Sequence, residues 1–315
     1  MVELFKHSAS RAANFSPRGF LHKNFCSVRP PRIKAHKFSQ NSRMEKNSAK
    51  NKTARPSAIV VGGSSGIGYE TGVRLVNRGW EVTNISRTPC NNAKVHNICA
   101  DVARGSEAYD AIVATADKYG LNALVYCAGF SMAAPIEYVK ETDYKYLFEV
   151  NYFGALKAMQ TAIPFMKKKG GKIVLVGSLG GDVPIVFDSF YSSSKAALEM
   201  LAREANTELN VYGISVTAVL PGGTATNFSF KRKVYPEEEN GTYAKSLNRA
   251  VAALANMEQG GMKPSRVAED IYKILVSEKP PIIKTCGAKN TAARFATRVM
   301  PEKFTSYLNG RMYNQ

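Results

Sequence analysis

From Ser57 onward the chain alternates between short apolar runs and longer segments whose apolar positions recur at helical intervals. "SAIVV" (57–61) is apolar at nearly every position, and glycines follow it before "GYETGVRLVNRGW" takes up a spacing of three and four. "EVTNIS" (81–86) and "VHNICA" (95–100) read as strands, "SEAYDAIVATADKYG" as a helix and "NALVYCAG" as the next strand. A long helical stretch from about Thr142 to Lys169 leads into the strand "KIVLVGS". A helix then opens at "FDSFYSSSKAALEML" (187–201) and runs to about Val211, before the strand "ISVTAVLPGG". Such alternation predicts a parallel sheet with helices on both faces. Strands lacking a polar face agree, since both sides of the sheet are then covered. The expected fold class is α/β: a doubly wound parallel sheet of the Rossmann type, in a single domain without internal repeats. Ligands of such sheets bind beyond the carboxyl ends of the strands, where strand order reverses.

Charge changes the picture at the two ends only. The chain has 315 residues, 44% apolar, and a formal charge of +18. Residues 1–57 carry net +11 and residues 279–315 net +6, so the middle is nearly neutral. A basic nucleic-acid-binding core is therefore not expected. The first 55 or so residues are rich in Arg, Lys, Ser, Asn and His without a sustained apolar period. They read as an organellar transit peptide, which would send the protein to a mitochondrion or related organelle, as a disordered basic tail on a cytoplasmic protein, or as an over-extension ahead of a true start at Met44. The expected division is a basic extension over 1–56, a catalytic domain over 57–288 and a basic amphipathic extension over 289–315. In that last segment Phe295, Val299, Phe304, Tyr307, Leu308 and Met312 recur at helical intervals among Arg294, Arg298, Lys303 and Arg311. A helix docked on its own domain is the favoured reading, and peripheral contact with an anionic membrane the other. No run reaches the roughly eighteen apolar residues of a spanning helix. Five cysteines (26, 90, 99, 127 and 286) show neither metal spacing nor an even count, which suits buried thiols in a reducing compartment. No metal site is expected.

Candidate chemistry begins at "VVGGSSGIGYE" (60–70), between the first strand and the first helix. Gly62, Gly66 and Gly68 allow a tight turn and bring backbone N–H groups and a helix N-terminus close to a pyrophosphate. The plain alternative is an ordinary turn. About twenty residues on, where an acid usually holds the ribose 2′-OH of NAD, the chain reads "ISRT" (85–88), with Ser86 and Arg87 and no carboxylate. An arginine there suits a 2′-phosphate, so NADP(H) is the expected cofactor; an exposed loop arginine is the alternative.

Seven motifs then occur in order: "GGSSGIG" (62–68), "ADV" (100–102), "CAG" (127–129), "VNYFGA" (150–155), "VGS" (176–178), "YSSSK" (191–195) and "PGGTAT" (221–226). Together they resemble the short-chain dehydrogenase/reductase family, over about Ser57 to Thr285. The resemblance implies a catalytic tetrad of Asn151, Ser178, Tyr191 and Lys195. It implies cofactor contacts from Ser64, Ser65 and Ile67 beside the three glycines, from Ser86 and Arg87, and from Asp101 and Val102 at the adenine. Ala128, Gly129, Tyr191, Lys195, Pro221, Gly222 and Thr224 complete that set, with Thr226 beside them; Asp101 alone would equally cap a helix. Val61 stands where the family commonly has Thr, and Tyr126 where it often has Asn, which puts local hydrogen bonding in question. Family members often form homo-dimers or tetramers.

Tyr191 and Lys195 are one helical turn apart and share a face. A phenol has a pKa near 10, too high for exchange at neutral pH, and an adjacent ammonium lowers it. On this reading Tyr191 protonates a carbonyl oxygen held by Ser178. The resemblance adds that Lys195 grips the ribose and that Asn151 positions Lys195 through a water. The loop 222–243 is expected to set specificity. Phe228 and Phe230 would wall an apolar substrate, and Lys231, Arg232 and Lys233 would draw an anion or simply face solvent. The expected reaction is NADPH-dependent reduction of an apolar or lipid-like ketone (a 3-oxoacyl, ketosphinganine or acyl-dihydroxyacetone-phosphate type). A non-enzymatic nucleotide-binding scaffold or sensor is the alternative.

Overall fold

The computed structural model describes residues 55–314 apart from 237, 238 and 240, and within the last helix not the side chains of 308, 309 and 312–314. The basic N-terminal extension with its three readings, and Cys26, lie outside the described residues, as do the side chains of Leu308 and Met312. Seven parallel strands form the central sheet in the order β3-β2-β1-β4-β6-β7-β9. They are β1 (Ser57–Val61), β2 (Glu81–Ser86), β3 (His96–Cys99), β4 (Ala123–Tyr126), β6 (Gly171–Val176), β7 (Ile214–Leu220) and β9 (Ile283–Thr285). A minor parallel pair, β5 (Met132–Ala133) and β8 (Lys233–Val234), lies apart from them.

Alternation along β1 shows why its run is apolar throughout. Ile59 and Val61 enter one core with residues of α2 (Glu107–Tyr119), α4 (Gly154–Met166) and α5 (Ser189–Leu209). Ala58 and Val60 enter a second core with residues of α1 (Gly66–Asn77) and α7 (Pro264–Val276). Successive strand residues point to opposite faces, and here both faces are dry. Each fully buried aliphatic side chain contributes about 1.5–3 kcal/mol of transfer free energy, so the two layers dominate the stability. The edge strand β3 is largely exposed, which leaves Cys99 open to solvent where a buried thiol was expected; Cys90 and Cys286 are buried.

The helix expected over 142–169 is interrupted. It forms as α3 (Glu141–Phe148), a wide π-type turn (Glu149–Phe153) and α4. The interruption coincides with Tyr126, which is buried at the end of β4 and donates a 2.6 Å hydrogen bond to the Val150 carbonyl. A Cβ on Gly154 would collide with that phenol oxygen. Tyr126 and Gly154 thus answer one departure from the family pattern: the phenol ties β4 to the wide turn, and Gly154 leaves it room.

Beyond the sheet come α6 (Ala244–Gln259), α8 (Ala288–Val299) and α9 (Glu302–Asn314). The C-terminal segment docks, but through charge. Arg294 pairs with Asp182 and, at 2.6 Å, with Glu199, while Phe295, Val299, Phe304 and Tyr307 are exposed. Two carboxylates on the body draw Arg294 inward and leave the apolar stripe facing out. No helix among the described residues is long and apolar enough to cross a membrane.

Tyr126→Phe keeps the ring and strands a buried carbonyl, so a loss of about 1–3 kcal/mol is expected in denaturant unfolding. Gly154→Ala should cost a similar amount through overpacking. The double variant should lose less than the sum, because removing the hydroxyl opens the space the methyl needs.

Candidate active site

The carboxyl end of β1 approaches that of β4 too closely for side chains. Gly62 has φ +85°, and a Cβ there would lie 2.6 Å from the Ala128 backbone nitrogen. Gly68 is pressed against the Gly62 carbonyl from the first turn of α1. The turn is held from the neighbouring strand: Asn84 accepts a buried 2.8 Å hydrogen bond from the Gly63 N–H and donates 2.9 Å to Asn97. Val61, the other departure, is packed in the core, and the side-chain hydrogen bond to the loop comes from Asn84 instead. The signal for Asn84 was a carboxamide inside an apolar strand, where a polar group needs a buried partner.

At the end of β2 the Ser86 hydroxyl donates 2.7 Å to the Thr88 carbonyl, and Arg87 is exposed. No ion pair joins Arg87 to a carboxylate among the described residues. Asp101 accepts 3.0 Å from the Ala103 N–H, so it caps its own turn while also bordering the cleft.

Tyr191 and Lys195 lie on the buried face of α5, with the Lys195 ammonium 5.7 Å from the phenol ring centroid. Lys195 donates 2.9 Å to the Val176 carbonyl at the end of β6. Ser178, two residues on, accepts 3.0 Å from the Gly180 N–H. Asn151 sits in the wide turn with its amide fully engaged. It accepts 3.0 Å from the Phe130 N–H and donates to the Phe130 carbonyl and the Ser194 hydroxyl, at 3.0 and 3.1 Å. Asn151 and Lys195 flank Gly129, where a Cβ would stand 3.1 Å from one and 3.3 Å from the other. Of the predicted catalytic and cofactor residues, Asn151 alone does not border the cleft.

Electrostatically the pair differs from the sequence-based expectation. Burial pushes the Tyr191 phenol up, the Ser178 hydrogen bond opposes it, and Asp188 and Glu258 push it further up. Burial also brings Lys195 down to about 8. The ammonium was expected to govern the phenol; desolvation is the larger effect on both groups because each carries charge into a dry site.

Sequence reasoning missed a polar cluster beneath Tyr191. Arg232 was weighed as a solvated or anion-attracting charge, yet its guanidinium is buried, 2.8 Å from the Ser131 hydroxyl and 2.5 Å from Glu258. Ser131 donates in turn to Asp188, at 3.1 Å, whose carboxyl burial pushes up to about 7. Lys233 pairs with Asp143 at 2.5 Å. Phe228 stands 5.8 Å from the Tyr191 ring, as an apolar wall requires, whereas Phe230 is 76% exposed and walls nothing. Only a placed backbone separates such adjacent residues.

One cleft of about 1460 Å³ is bordered by every predicted cofactor residue together with Ser178, Thr226 and Phe228. Ordinary small-molecule pockets hold roughly 300–1,000 Å³, so there is room for a dinucleotide and a substrate. The glycine cradle, open only because no Cβ fills it, fits a pyrophosphate. This fold and cleft define a dinucleotide-binding α/β protein.

The family described as short chain dehydrogenase matches residues 56–235, and the chain belongs to it. Among relatives, a 3-ketodihydrosphingosine reductase of Bacteroides thetaiotaomicron is 29% identical over 233 residues, 73% of this chain and 87% of that one. A 3-dehydrosphinganine reductase of Danio rerio is 31% identical over 234 residues, 68% of this chain and 67% of its own. Among solved structures, a short-chain dehydrogenase from Streptomyces avermitilis superposes with TM-score 0.68 at 27% identity, covering 81% of this chain and 95% of that one. One from Burkholderia cenocepacia, solved in complex with NADP, shares the fold with TM-score 0.66 at 21% identity, covering 81% and 97%. Membership makes the chain an oxidoreductase of CH–OH and C=O groups that uses a nicotinamide dinucleotide.

Lys195 has a folded pKa below its unfolded 10.5, so the cost of burying its charge is present below about pH 8 and disappears as pH rises to 10.5. Without added dinucleotide, Lys195→Met should be more stable than the parent at pH 7, and the difference should close toward pH 10.5. Unfolding followed across that range checks it.

Proposed function

We propose that the protein reduces the keto group of a long-chain, lipid-like substrate with NADPH. The observation that carries this reading is one cleft that Ser178, Tyr191 and Lys195 share with the apolar side chain of Phe228, 5.8 Å from the Tyr191 ring, and with the glycine cradle and Arg87. Phe228, Leu254, Met257, Val183, Pro184 and Ile185 border that cleft and offer an alkyl chain dry surface. The two sphingoid-base reductases among the relatives support a keto group on a long chain. Arg87, exposed and without a carboxylate partner, supports a 2′-phosphate and hence NADP over NAD.

The nicotinamide, when bound, supplies hydride to the carbonyl carbon. Ser178 donates a hydrogen bond to the carbonyl oxygen and holds it beside the Tyr191 hydroxyl. Tyr191 gives its proton to that oxygen as negative charge develops there. A phenol raised by burial stays protonated until this moment, as a proton donor must. Lys195, nearly balanced between charged and neutral at about 8, stabilises the phenolate left behind. Asn151 acts through structure, strapping the Phe130 backbone to Ser194 and so fixing α5 against the strand ends.

NADPH consumption should be fastest with 3-ketosphinganine or a long-chain 3-oxoacyl ester among a panel that includes short ketones. Tyr191→Phe should lower kcat about 10²–10⁴-fold with dinucleotide binding kept. Turnover of short ketones alone would overturn the substrate class. Arg87→Asp should weaken NADPH more than NADH in direct titration, and equal weakening would remove the 2′-phosphate role.

A further inference from the structure

The basic run Lys231–Lys233 points three ways. Arg232 is buried against Ser131 and Glu258, and Lys233 pairs with Asp143. Lys231 has neither partner: it is exposed, and its ammonium reaches across the cleft to the Ser65 hydroxyl at 3.4 Å. Ser65 is the N-cap residue of α1, its side chain makes no capping bond, and the first turn of that helix holds no acid. The helix N-terminus is therefore electropositive and uncompensated. Arg87, also without a carboxylate partner among the described residues, borders the same cleft. Glu258, the acid from α6, is taken by Arg232 and Ser229.

The chain is tethered on both sides of Lys231. Ser229 bonds Glu258, Arg232 is anchored in the protein, and β8 pairs with β5 immediately afterwards. A cation held at this place faces an anion that sits on the glycine loop. We propose that Lys231 is a ligand for a phosphate of the bound dinucleotide, delivered across the cleft by the same loop that carries Phe228 to the substrate. This rests on the dinucleotide reading above and adds a coupling to it. Cofactor binding draws the substrate wall closed, and a bound substrate tightens the cofactor by the same factor.

Lys231→Gln, titrated directly with NADPH and with NADH by fluorescence, should bind about tenfold more weakly or worse, and Lys231→Arg should recover most of the loss. Loss confined to NADPH assigns the contact to the 2′-phosphate; equal loss for both assigns it to the pyrophosphate. NADPH should also protect the loop from chymotryptic cleavage at Phe228 and Phe230 in the parent and fail to do so in Lys231→Gln. The thermal midpoint without nucleotide should not move, because Lys231 is exposed. Parent-like affinity for both nucleotides in Lys231→Gln overturns the contact, and retained protection overturns the coupling. A parent protein that binds neither dinucleotide overturns the cofactor reading itself, which the first measurement of the series distinguishes.

Discussion

The close approach of two backbones, Gly62 at the end of β1 and Ala128 at the end of β4, is the constraint on which the site depends. Helices leave these neighbouring strands toward opposite faces of the sheet, so a crevice opens between them. Side chains would close it. Glycines keep it open, and the same absence of Cβ atoms exposes the N–H groups of the turn and the start of α1. Asn84 then holds the turn from β2, a strand whose other task is to end at Arg87. Geometry that admits a dinucleotide and geometry that closes the sheet are one arrangement.

A second constraint is dryness. Tyr191 and Lys195 are drawn into the body of the protein on α5, and burial displaces both toward their neutral forms. Lys195 is therefore held in its charged form against the cost of burial, which a negative charge placed nearby would offset. The buried Arg232–Ser131–Asp188 cluster, with Glu258, adds two acids and one base beneath the phenol. It also pins the 222–243 loop, so that loop's position and the electrostatics of Tyr191 are set by the same side chains.

Substitutions away from the family pattern are absorbed locally. Tyr126 does with a phenol, a carbonyl of the wide turn and a glycine what a shorter side chain would do by other means. The same wide turn places Asn151, whose amide binds Phe130 and Ser194 and holds the segment after β4 to α5. The chain uses one irregular turn for both tasks.

Periodicity and glycine placement along the chain were enough to determine the parallel sheet, its two apolar faces and the turn after β1, because those features follow from local rules of strand, helix and φ. The order of the seven motifs, through the family resemblance it carries, implied which side chains would converge. What tertiary structure alone decided lies in neighbours whose types are alike and whose surroundings differ. Lys231, Arg232 and Lys233 are three cations in a row, and only the packed loop sends one to the glycine turn, one into the interior and one to Asp143. Phe228 and Phe230 part in the same way, as do Arg294 and Phe295 of α8. The rank order of burial over charge at Tyr191 was likewise hidden, since desolvation is a property of everything around a group and no spacing along the chain encodes it.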